Sequence, residues 1–427
     1  MSTRDRSHGA QPEYWEPVRP DIPALRSPAR ELVGNPAQRD PDEPIDPDPP
    51  RPASMLLLDR YDQIMSLGVI EEPRRRQRIR RARYEHVMVC KWLDRFGFMT
   101  TEQLHQAVLP RRTLRATQDL LYRMRNAGLI ERRHLQISIE EGRRRGGSGP
   151  RLYSLLPDGY RLGQRSPGFY RPVIPRTAGR RRSEARTAMH LRHDLHTVGW
   201  WHAFEATLGP GVDVTDVFTP RYEEGRFSAP LIHTGRGYRA AERRDILLGG
   251  GADIAGIAND RFDYTIEPDL TIRLDVMGWL TGKTQDIVLD LLVEVDRTQR
   301  PARNLRKFKR YDQFLTGWAL LHPRYEQLGT RPVVIFTSPN ETSMIALMKA
   351  ADEVMTGRIG WTGEPEHTWY YPGRDHVLFT TETEIHHGSM LAWRLPELPR
   401  NLRDKLCYEG FPITVAEILP PELTAAG

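Results

Sequence analysis

Two acidic residues stand at the end of a largely apolar stretch, residues 286–296, and their spacing suggests chemistry. The stretch is predicted to form a β-strand, in which alternate residues share a face. Glu294 and Asp296 then lie on one face, while leucines and valines at the alternate positions form a buried face. Burying two carboxylates without a counter-charge costs free energy, so the pattern predicts a cation, either a basic side chain or a metal ion, beside them.

A third carboxylate precedes this strand. Residues 264–274 are predicted to form another strand, which contains Glu267-Pro268-Asp269. If the two strands pair as a hairpin, Asp269 comes beside Glu294. Three carboxylates at one point form an oxygen-rich site suited to Mg²⁺ or Mn²⁺, and such an ion activates water and neutralises a phosphodiester. We therefore predict Asp269, Glu294 and Asp296 as metal ligands and catalytic residues.

Basic residues nearby provide other sources of counter-charge. The helix predicted at residues 303–321 contains Lys307 and Lys309, and Lys307 shares a helical face with Tyr311. Either lysine could place a positive charge at the site. The acids could instead form a structural ion-pair cluster, or a relic site that contacts DNA, with nearby arginines: Arg273, Arg297 or Arg306. The sequence leaves these alternatives open.

Residues 184–385 alternate between helical and extended patterns, which predicts a mixed α/β sandwich with a central sheet. The first helix of this unit, predicted at residues 184–208, contains His190, His193 and His196. Because a spacing of three drifts off one face of a helix, a metal site made of these three histidines is not expected. Core or helix-surface positions are favoured, and His193 could approach the edge of the sheet.

Residues 84–165 are predicted to form three helices followed by a hairpin. The Thr100–Gln103 capping pattern begins the second helix, and Gly128 ends the third. The outer face of the third helix is polar, and a basic tip separates the two strands of the hairpin. Arginine and glutamine can bind base edges and phosphates, so we predict these DNA-binding residues: Arg111, Arg112, Arg115, Gln118, Arg143, Arg144 and Arg145.

Charge along the 427-residue chain is uneven. Lysine and arginine number 62 and acids 56, but residues 111–186 contain 19 arginines, no lysine and 6 acids, an excess of 13 positive charges. This cluster indicates a polyanion partner, most simply double-stranded DNA. Two cysteines argue against a disulfide framework. The polar start and the lack of an apolar run of about 18 residues predict no signal peptide and no membrane span, hence a cytoplasmic location.

These patterns divide the chain into five predicted segments. A Pro- and Asp-rich arm, which includes a short helix at residues 55–67 and an Arg-rich helix, covers residues 1–83. The other segments are the three-helix unit (84–165), a basic linker (166–183), the α/β unit (184–385) and a C-terminal tail (386–427).

Two fold families resemble these units. The order of helices and hairpin, with "NAGLIERR" and "RLYSLLPDGYRL" at the junctions, resembles the winged helix-turn-helix family. Pro268-Asp269 followed by Glu294-Val295-Asp296 resembles the PD-(D/E)XK nuclease fold, although Asp296 stands where lysine is usual. Some members of that fold use a lysine from the next helix, so the resemblance implies Lys307 and Lys309 as catalytic residues. The resemblance implies an N-terminal winged helix-turn-helix plus a C-terminal PD-(D/E)XK-like α/β sandwich with a central mixed sheet, and a Mg²⁺- or Mn²⁺-dependent nuclease site.

The two units in this order are a more specific signal than either unit alone. A winged helix followed by "IEPDLTIRL", "LLVEVDRTQRP" and "NLRKFKRYDQFL" is similar to the replication-relaxation family over residues 84–340. This resemblance implies a role in plasmid or mobile-element replication, DNA transfer or its control, with replication or transfer proteins as further partners. Two other functions stay open. One is a non-catalytic DNA-binding regulator or replication accessory factor with a relic nuclease domain, and the other is a protein-binding scaffold. The sequence also leaves a homodimer open.

Overall fold

The fold is mixed α+β and centres on a seven-stranded mixed sheet. The structure, a computed structural model, describes residues 64–71, 82–137, 150–164, 184–228, 265–277, 287–297, 304–328, 330–360, 369–405, 411 and 413–424. We call the elements up to residue 164 the head and those from residue 184 onward the body. None of the helices in these ranges combines the length and apolar character that crossing a membrane requires.

The described residues of the head form four helices and a four-stranded antiparallel sheet of order β1-β3-β4-β2. Its elements, in chain order, are β1 (Ile64–Glu71), α1 (Tyr84–Phe96), β2 (Met99–Thr100), α2 (Thr101–Val108), α3 (Leu114–Asn126), β3 (Ile130–Ile137), β4 (Arg151–Leu155) and α4 (Pro157–Gln164). Buried apolar side chains of α1, α2 and α3 pack together above this sheet.

Local signals in the head sequence produce the predicted helix ends. The Thr100 hydroxyl accepts the Gln103 backbone N–H at 3.2 Å, and the Gln103 side chain accepts the Thr100 N–H at 3.0 Å, which begins α2 at the predicted residue. Gly128, at φ +74°, follows the end of α3, as expected of a residue tolerant of the left-handed region.

Two expectations about the head have different outcomes. The helix predicted at residues 55–67 is wrong over its described part, because Ile64–Glu71 forms strand β1 and pairs antiparallel with β3. Pairing with a neighbouring strand has here overridden local helix propensity, which is weak as evidence for a short segment. The tip of the hairpin, with Arg143, Arg144 and Arg145, lies outside the described residues.

The body surrounds the seven-stranded sheet, of order β15-β14-β13-β10-β9-β8-β5. The elements up to the middle of the body are α5 (Glu184–Glu205), β5 (Val212–Phe218), β6 (Phe227–Ser228), β7 (Thr265–Ile266), β8 (Leu270–Val276), β9 (Ile287–Val295), α6 (Leu305–Gln313) and α7 (Pro323–Leu328). The later elements are β10 (Val333–Ser338), α8 (Glu341–Val354), β11 (Ile359–Gly360), β12 (Trp369–Tyr370), α9 (Pro372–Asp375), β13 (Val377–Thr381), α10 (Glu382–His386), β14 (Leu391–Arg394), α11 (Arg400–Lys405) and β15 (Thr414–Glu417).

Parallel and antiparallel pairs divide the sheet. Strand β10 lies parallel between β9 and β13, whereas β8 pairs antiparallel with β9 and β5. Both faces of β9 are buried from Asp290 onward: Leu291 and Val293 pack in one apolar cluster, and Leu292 packs in the other. The sequence predicted a buried apolar face and, on the other face, acids that need a counter-charge when buried. The second face of β9 is buried as well, because helices cover both faces of the sheet.

Two predicted strands have different bounds in the structure. Residues 264–274 do not form one strand, since β7 and β8 are separated at Glu267-Pro268-Asp269, where proline has no N–H for a ladder hydrogen bond. The strand expected up to Ile385 ends at Thr381, because the Thr381 hydroxyl accepts the Glu384 N–H at 3.1 Å and begins α10.

The sheet continues past residue 385, into the segment predicted as a tail. Strand β14 pairs with β13, and β15 pairs with β14. Short strands separated by proline and by turns give too little periodicity to be recognised in the sequence. The domain boundaries of the chain stay predictions.

Candidate active site

Strand pairing brings two of the predicted carboxylates together. Strands β8 and β9 are antiparallel with Leu270 opposite Val293. One step further along the same register, Asp269 stands opposite Glu294. The hairpin pairing expected from the sequence is therefore present at the point where β8 begins and β9 ends.

Asp269 is held by the main chain of β9 and by the body's first helix. Its Oδ2 accepts the Val295 backbone N–H at 2.8 Å, so the side chain continues the strand ladder past the proline. The same oxygen lies 3.2 Å from Nε2 of His193 on α5, and this nitrogen is also 3.1 Å from the Val295 carbonyl. The His193 side chain is 36% exposed, so it borders both protein and solvent.

Glu294 is buried and held by one face of α6. Lys307 Nζ donates to Oε2 at 2.7 Å, and the Tyr311 hydroxyl donates to Oε1 at 2.7 Å. Lys307 and Tyr311 are four residues apart and therefore project from the same side of the helix. Their shared face, predicted from the sequence, is the one that meets the carboxylate.

A cavity of about 440 Å³ opens beside Glu294. The cavity lies between β7 and α6. Its lining residues are Thr265, Ile266, Glu267, Glu294, Lys307, Arg310 and Tyr311. Lys307 and Arg310 are one helical turn apart and give the α6 side of the cavity positive charge. A buried carboxylate with basic neighbours at an opening is accessible to a small charged group from solvent.

Asp269 and His193 each shift the pKa of the other. The negative charge of Asp269 raises the pKa of His193 to about 11. Burial disfavours ionisation of Asp269, but the charge and hydrogen bond of His193 outweigh it and hold the pKa of Asp269 below its usual value. At neutral pH the pair is thus an ionised carboxylate with an imidazolium.

The pKa of Glu294 is raised, whereas that of Asp269 is lowered. Burial raises the pKa of Glu294 above its usual value; Lys307 opposes this effect, and the charge of Asp269 adds to it. The pKa of Lys307 is raised, because Glu294 and Asp269 outweigh its own burial. A carboxyl group with a raised pKa beside a charged lysine is a common feature of sites that bind or transform charged ligands.

The other predicted carboxylate, Asp296, also lies near the site, since its charge contributes to the raised pKa of Lys307. Asp296 is buried, and its Oδ2 accepts a hydrogen bond from Asn304, the residue before α6. Lys309 is exposed and is not among the residues that line the described cavity. The structure therefore joins Asp269, Glu294 and Lys307, and ties Asp296 to the start of α6.

Two of the arginines considered as alternative counter-charges bind other acids. Arg273 Nε donates to Asp290 at 2.9 Å. Arg297 Nη1 donates to both carboxylate oxygens of Glu382, at 2.6 and 2.7 Å, and Glu382 also lies 3.1 Å from Nδ1 of His196. Within the described part of the chain, His193 contacts Asp269 and Lys307 contacts Glu294.

The predicted DNA-binding side chains of the head lie on its surface where the structure describes them. Arg111, Arg112 and Arg115 are exposed, Gln118 is half-buried, and Tyr122 on the same face is 58% exposed. The ion pairs Arg115–Asp119 at 3.3 Å and Arg112–Glu85 at 3.5 Å are both at the surface, where such pairs are weak. Arg112 and Arg115 are therefore held only weakly by their acidic partners.

In the described ranges no group of three or more His, Cys, Asp and Glu side chains has the arrangement of a metal site. Asp269, Glu294 and Asp296 therefore stay a prediction as metal ligands. Sequence reasoning noted that His193 could approach the sheet but did not assign it a contact. Arg310 was missed, although its spacing of three from Lys307 was a usable signal.

Comparison with known proteins identifies the family. The model of the replication-relaxation family matches residues 90–324, more than half of the chain, and the matched range contains α2, α3, the carboxylate pair and Lys307. No curated protein and no solved structure gave a significant match. By the extent of this match, the chain belongs to the replication-relaxation family.

Proposed function

We propose that this protein binds double-stranded DNA through its head and, with Mg²⁺ or Mn²⁺, nicks or cleaves it at Asp269 and Glu294. Membership of the replication-relaxation family suggests a role in the replication or transfer of plasmids or mobile elements. The observation that supports the enzymatic part is the arrangement of Asp269 opposite Glu294 with Lys307 Nζ 2.7 Å from Glu294 Oε2, beside a cavity.

The two carboxylates fit a hard divalent cation. Mg²⁺ commonly uses one or two protein carboxylates, with water and substrate phosphate as the other ligands, so a third acid is not required. Glu294, whose ionised form is disfavoured by burial, would gain a counter-charge from the ion. When bound, the ion would lower the pKa of a water molecule and neutralise phosphate charge.

The surrounding side chains have distinct roles in the proposal. Lys307 remains protonated and places a positive charge at the cavity, where a scissile phosphate would gain charge in the transition state. Tyr311 orients Glu294, and His193 orients Asp269. Asp296 positions Asn304 at the start of α6 and is left outside the ligand pair.

DNA binding is assigned to a winged helix-turn-helix in the head. The three helices followed by an antiparallel pair have the order of that fold, and α3 has an exposed basic face. Such a helix can enter the major groove with arginine on phosphates and base edges. Replacing Arg111, Arg112 and Arg115 by alanine should weaken duplex binding in fluorescence anisotropy, and unchanged affinity would contradict this assignment.

Cleavage of supercoiled plasmid with Mg²⁺ or Mn²⁺ tests the enzymatic part. The isosteric variants Asp269→Asn and Glu294→Gln should each lower nicking by about 100-fold or more, because an ion ligand or its charge is lost. Lys309→Gln, on the exposed side of α6, is the matched control and should retain activity. Equal nicking by wild type and Glu294→Gln would remove the site from consideration.

One observation favours a second function, a DNA-binding regulator without catalysis. Oδ2 of Asp269 and both carboxylate oxygens of Glu294 already accept hydrogen bonds from protein groups, and His193 and Lys307 supply counter-charge. A site satisfied in this way can be purely structural. In that case duplex binding would persist while wild type and all variants leave the plasmid intact.

A further inference from the structure

Helix α5 joins the head to the candidate active site. Its residue Leu195 accepts a hydrogen bond through its carbonyl from Gln103 Nε2 of α2, at 3.1 Å. Two residues earlier on the same helix, His193 contacts Asp269. One turn of α5 therefore touches both the head and the carboxylate pair.

Apolar packing extends this connection. Leu93 and Leu104 of the head and Trp201 and Phe204 of α5 belong to one continuous buried cluster. The Trp92 ring of α1 lies 5.6 Å from the His202 ring of α5. The side chains of Leu120, Leu121 and Met124 connect α3, the helix assigned to DNA, to the same cluster. A shared close-packed core resists relative motion of the elements that contribute to it.

Buried polar contacts fix the orientation of the head on the body. The Tyr222 hydroxyl donates to the Asp94 carboxylate, and both side chains are buried. The Thr219 hydroxyl donates to the Arg95 carbonyl at 3.0 Å. Directional bonds with buried partners specify one arrangement, because sliding the surfaces would leave polar groups unpaired.

A glycine allows the closest approach at this interface. Gly97 ends α1 at φ +83°, and a Cβ atom at this position would lie 2.5 Å from a guanidinium nitrogen of Arg221. The residues just after β5 thus meet the end of α1, where any other residue would be strained by the positive φ and would displace the end of the Arg221 side chain. The head surface is shaped to receive this part of the body.

We infer that head and body contact one DNA molecule as a rigid unit, so that the carboxylate pair acts at a fixed distance from the sequence bound by α3. The inference rests on the proposed function for its DNA consequence. Two domains joined only by residues 166–183 would instead reach a range of positions, because flexible linkers allow a range of distances. The specificity of cleavage then comes from the Asp94–Tyr222 and Gln103–Leu195 contacts as well as from α3.

Spin labels on the full-length chain test the rigidity without requiring activity. Cysteines replace Tyr122 on α3 and Lys309 on α6, both exposed, in a Cys407→Ser background. Cys90 is fully buried and burial raises its thiol pKa to about 12, so it should not be labelled. We expect a narrow distance distribution by pulsed electron paramagnetic resonance.

A linker insertion and an interface variant make the test decisive. Inserting about ten Gly and Ser residues after Gly168, with an r.m.s. span of roughly 17 Å, should leave the distribution unchanged. The combined variant Tyr222→Phe and Gln103→Ala should broaden it about twofold or more. A broad distribution in the parent chain, or broadening on linker insertion alone, would overturn the inference.

A DNA measurement separates this inference from the proposed chemistry. An iron–EDTA conjugate on Glu267→Cys, at the cavity, generates radicals that cut bound DNA whether or not the site is a nuclease. On a duplex selected from a random pool by the full-length protein, cuts should cluster at one distance from the bound sequence and keep it after linker insertion. Scattered cuts would refute the fixed distance, whereas clustered cuts without Mg²⁺-dependent nicking would refute only the enzyme.

Discussion

Two clusters of acids and cations in the described part of the body, around Asp352 and around Glu294, differ in how completely cations surround the carboxylate. Asp352 of α8 contacts Arg374 of α9 and Arg403 of α11, the latter at 3.0 and 2.5 Å, and all three residues are buried. The arginines outweigh the effect of burial and lower the pKa of Asp352. At Glu294 burial prevails and the pKa is raised, while the Lys307 side chain is 39% exposed at a cavity.

This difference distinguishes a structural ion cluster from a candidate active site. Around Asp352, planar guanidinium groups bind the carboxylate from two elements, and their other N–H groups donate to backbone carbonyls. Around Glu294 the cation is a single lysine with one described acidic hydrogen-bond partner, and space remains beside it. The first cluster fastens three helices, whereas the second keeps a charge where a ligand can reach it.

Asp352→Ala should have the largest effect on stability. The substitution leaves the two buried guanidinium groups of Arg374 and Arg403 without their carboxylate, which costs about 3–5 kcal/mol in free energy of unfolding. Urea denaturation followed by circular dichroism measures it. Arg400→Ala, which removes an exposed pair with Glu353 at 3.5 Å, is the control and should change stability by less than about 1 kcal/mol. Similar values for both variants would mean that the Asp352 cluster is not structural.

Lys307→Gln should mainly affect activity. Loss of the charge at the cavity is expected to lower plasmid nicking by about 100-fold, or roughly 2.7 kcal/mol of transition-state free energy. Lys309→Gln, two positions away on the exposed side of α6, should retain nicking. Equal effects of the two substitutions would contradict the distinct role assigned to Lys307.

A third prediction concerns pH. Burial disfavours the ionised form of Glu382, but His196 and Arg297 lower its pKa to about 2. The Glu382 carboxyl group therefore binds a proton more tightly in the unfolded chain than in the folded one. Its contribution to the free energy of unfolding is complete above pH 4.5, the usual pKa of the group, and is lost as the pH falls toward 2. Below pH 4.5, urea midpoints of wild type should fall more steeply than those of Glu382→Gln. Parallel pH profiles would contradict the ion pairing.

The smallest expected effect is on the salt dependence of DNA binding. Replacing Arg115 alone by alanine should reduce the slope of log K against log salt by about 1, the value for one phosphate contact. Arg161→Ala, in an exposed pair with Asp158 on α4, is the control and should leave the slope unchanged. An unaltered slope for Arg115→Ala would mean that this face of α3 does not contact phosphate.

The carboxylate pair was predictable because its geometry is local. Asp269 and Glu294 lie on strands that follow one another, so a hairpin register is sufficient to bring them together. The Lys307–Tyr311 face follows from helix periodicity alone. Strand alternation predicted that Asp296 shares a face with Glu294. In the structure the Asp296 carboxylate accepts a hydrogen bond from Asn304, the residue just before α6.

The contacts that sequence reasoning missed depend on tertiary packing. His193 and Asp269 are 76 positions apart and meet only because α5 packs against the end of the sheet. The attachment of the head through Asp94 and Tyr222 joins positions 128 apart, and no periodicity in either segment signals it. Buried apolar side chains of the head and the body also belong to one cluster, which no pattern in the sequence predicted.

Binding of Mn²⁺ to the full-length protein tests the central claim most directly, because it measures the ion at the carboxylate pair without depending on the DNA substrate. Free Mn²⁺, measured by electron paramagnetic resonance during titration, should show one site in wild type and in Lys309→Gln. The account predicts that Glu294→Gln and Asp269→Asn each weaken this site by about tenfold or more. Absence of binding in wild type, or the same affinity in all four proteins, would contradict it.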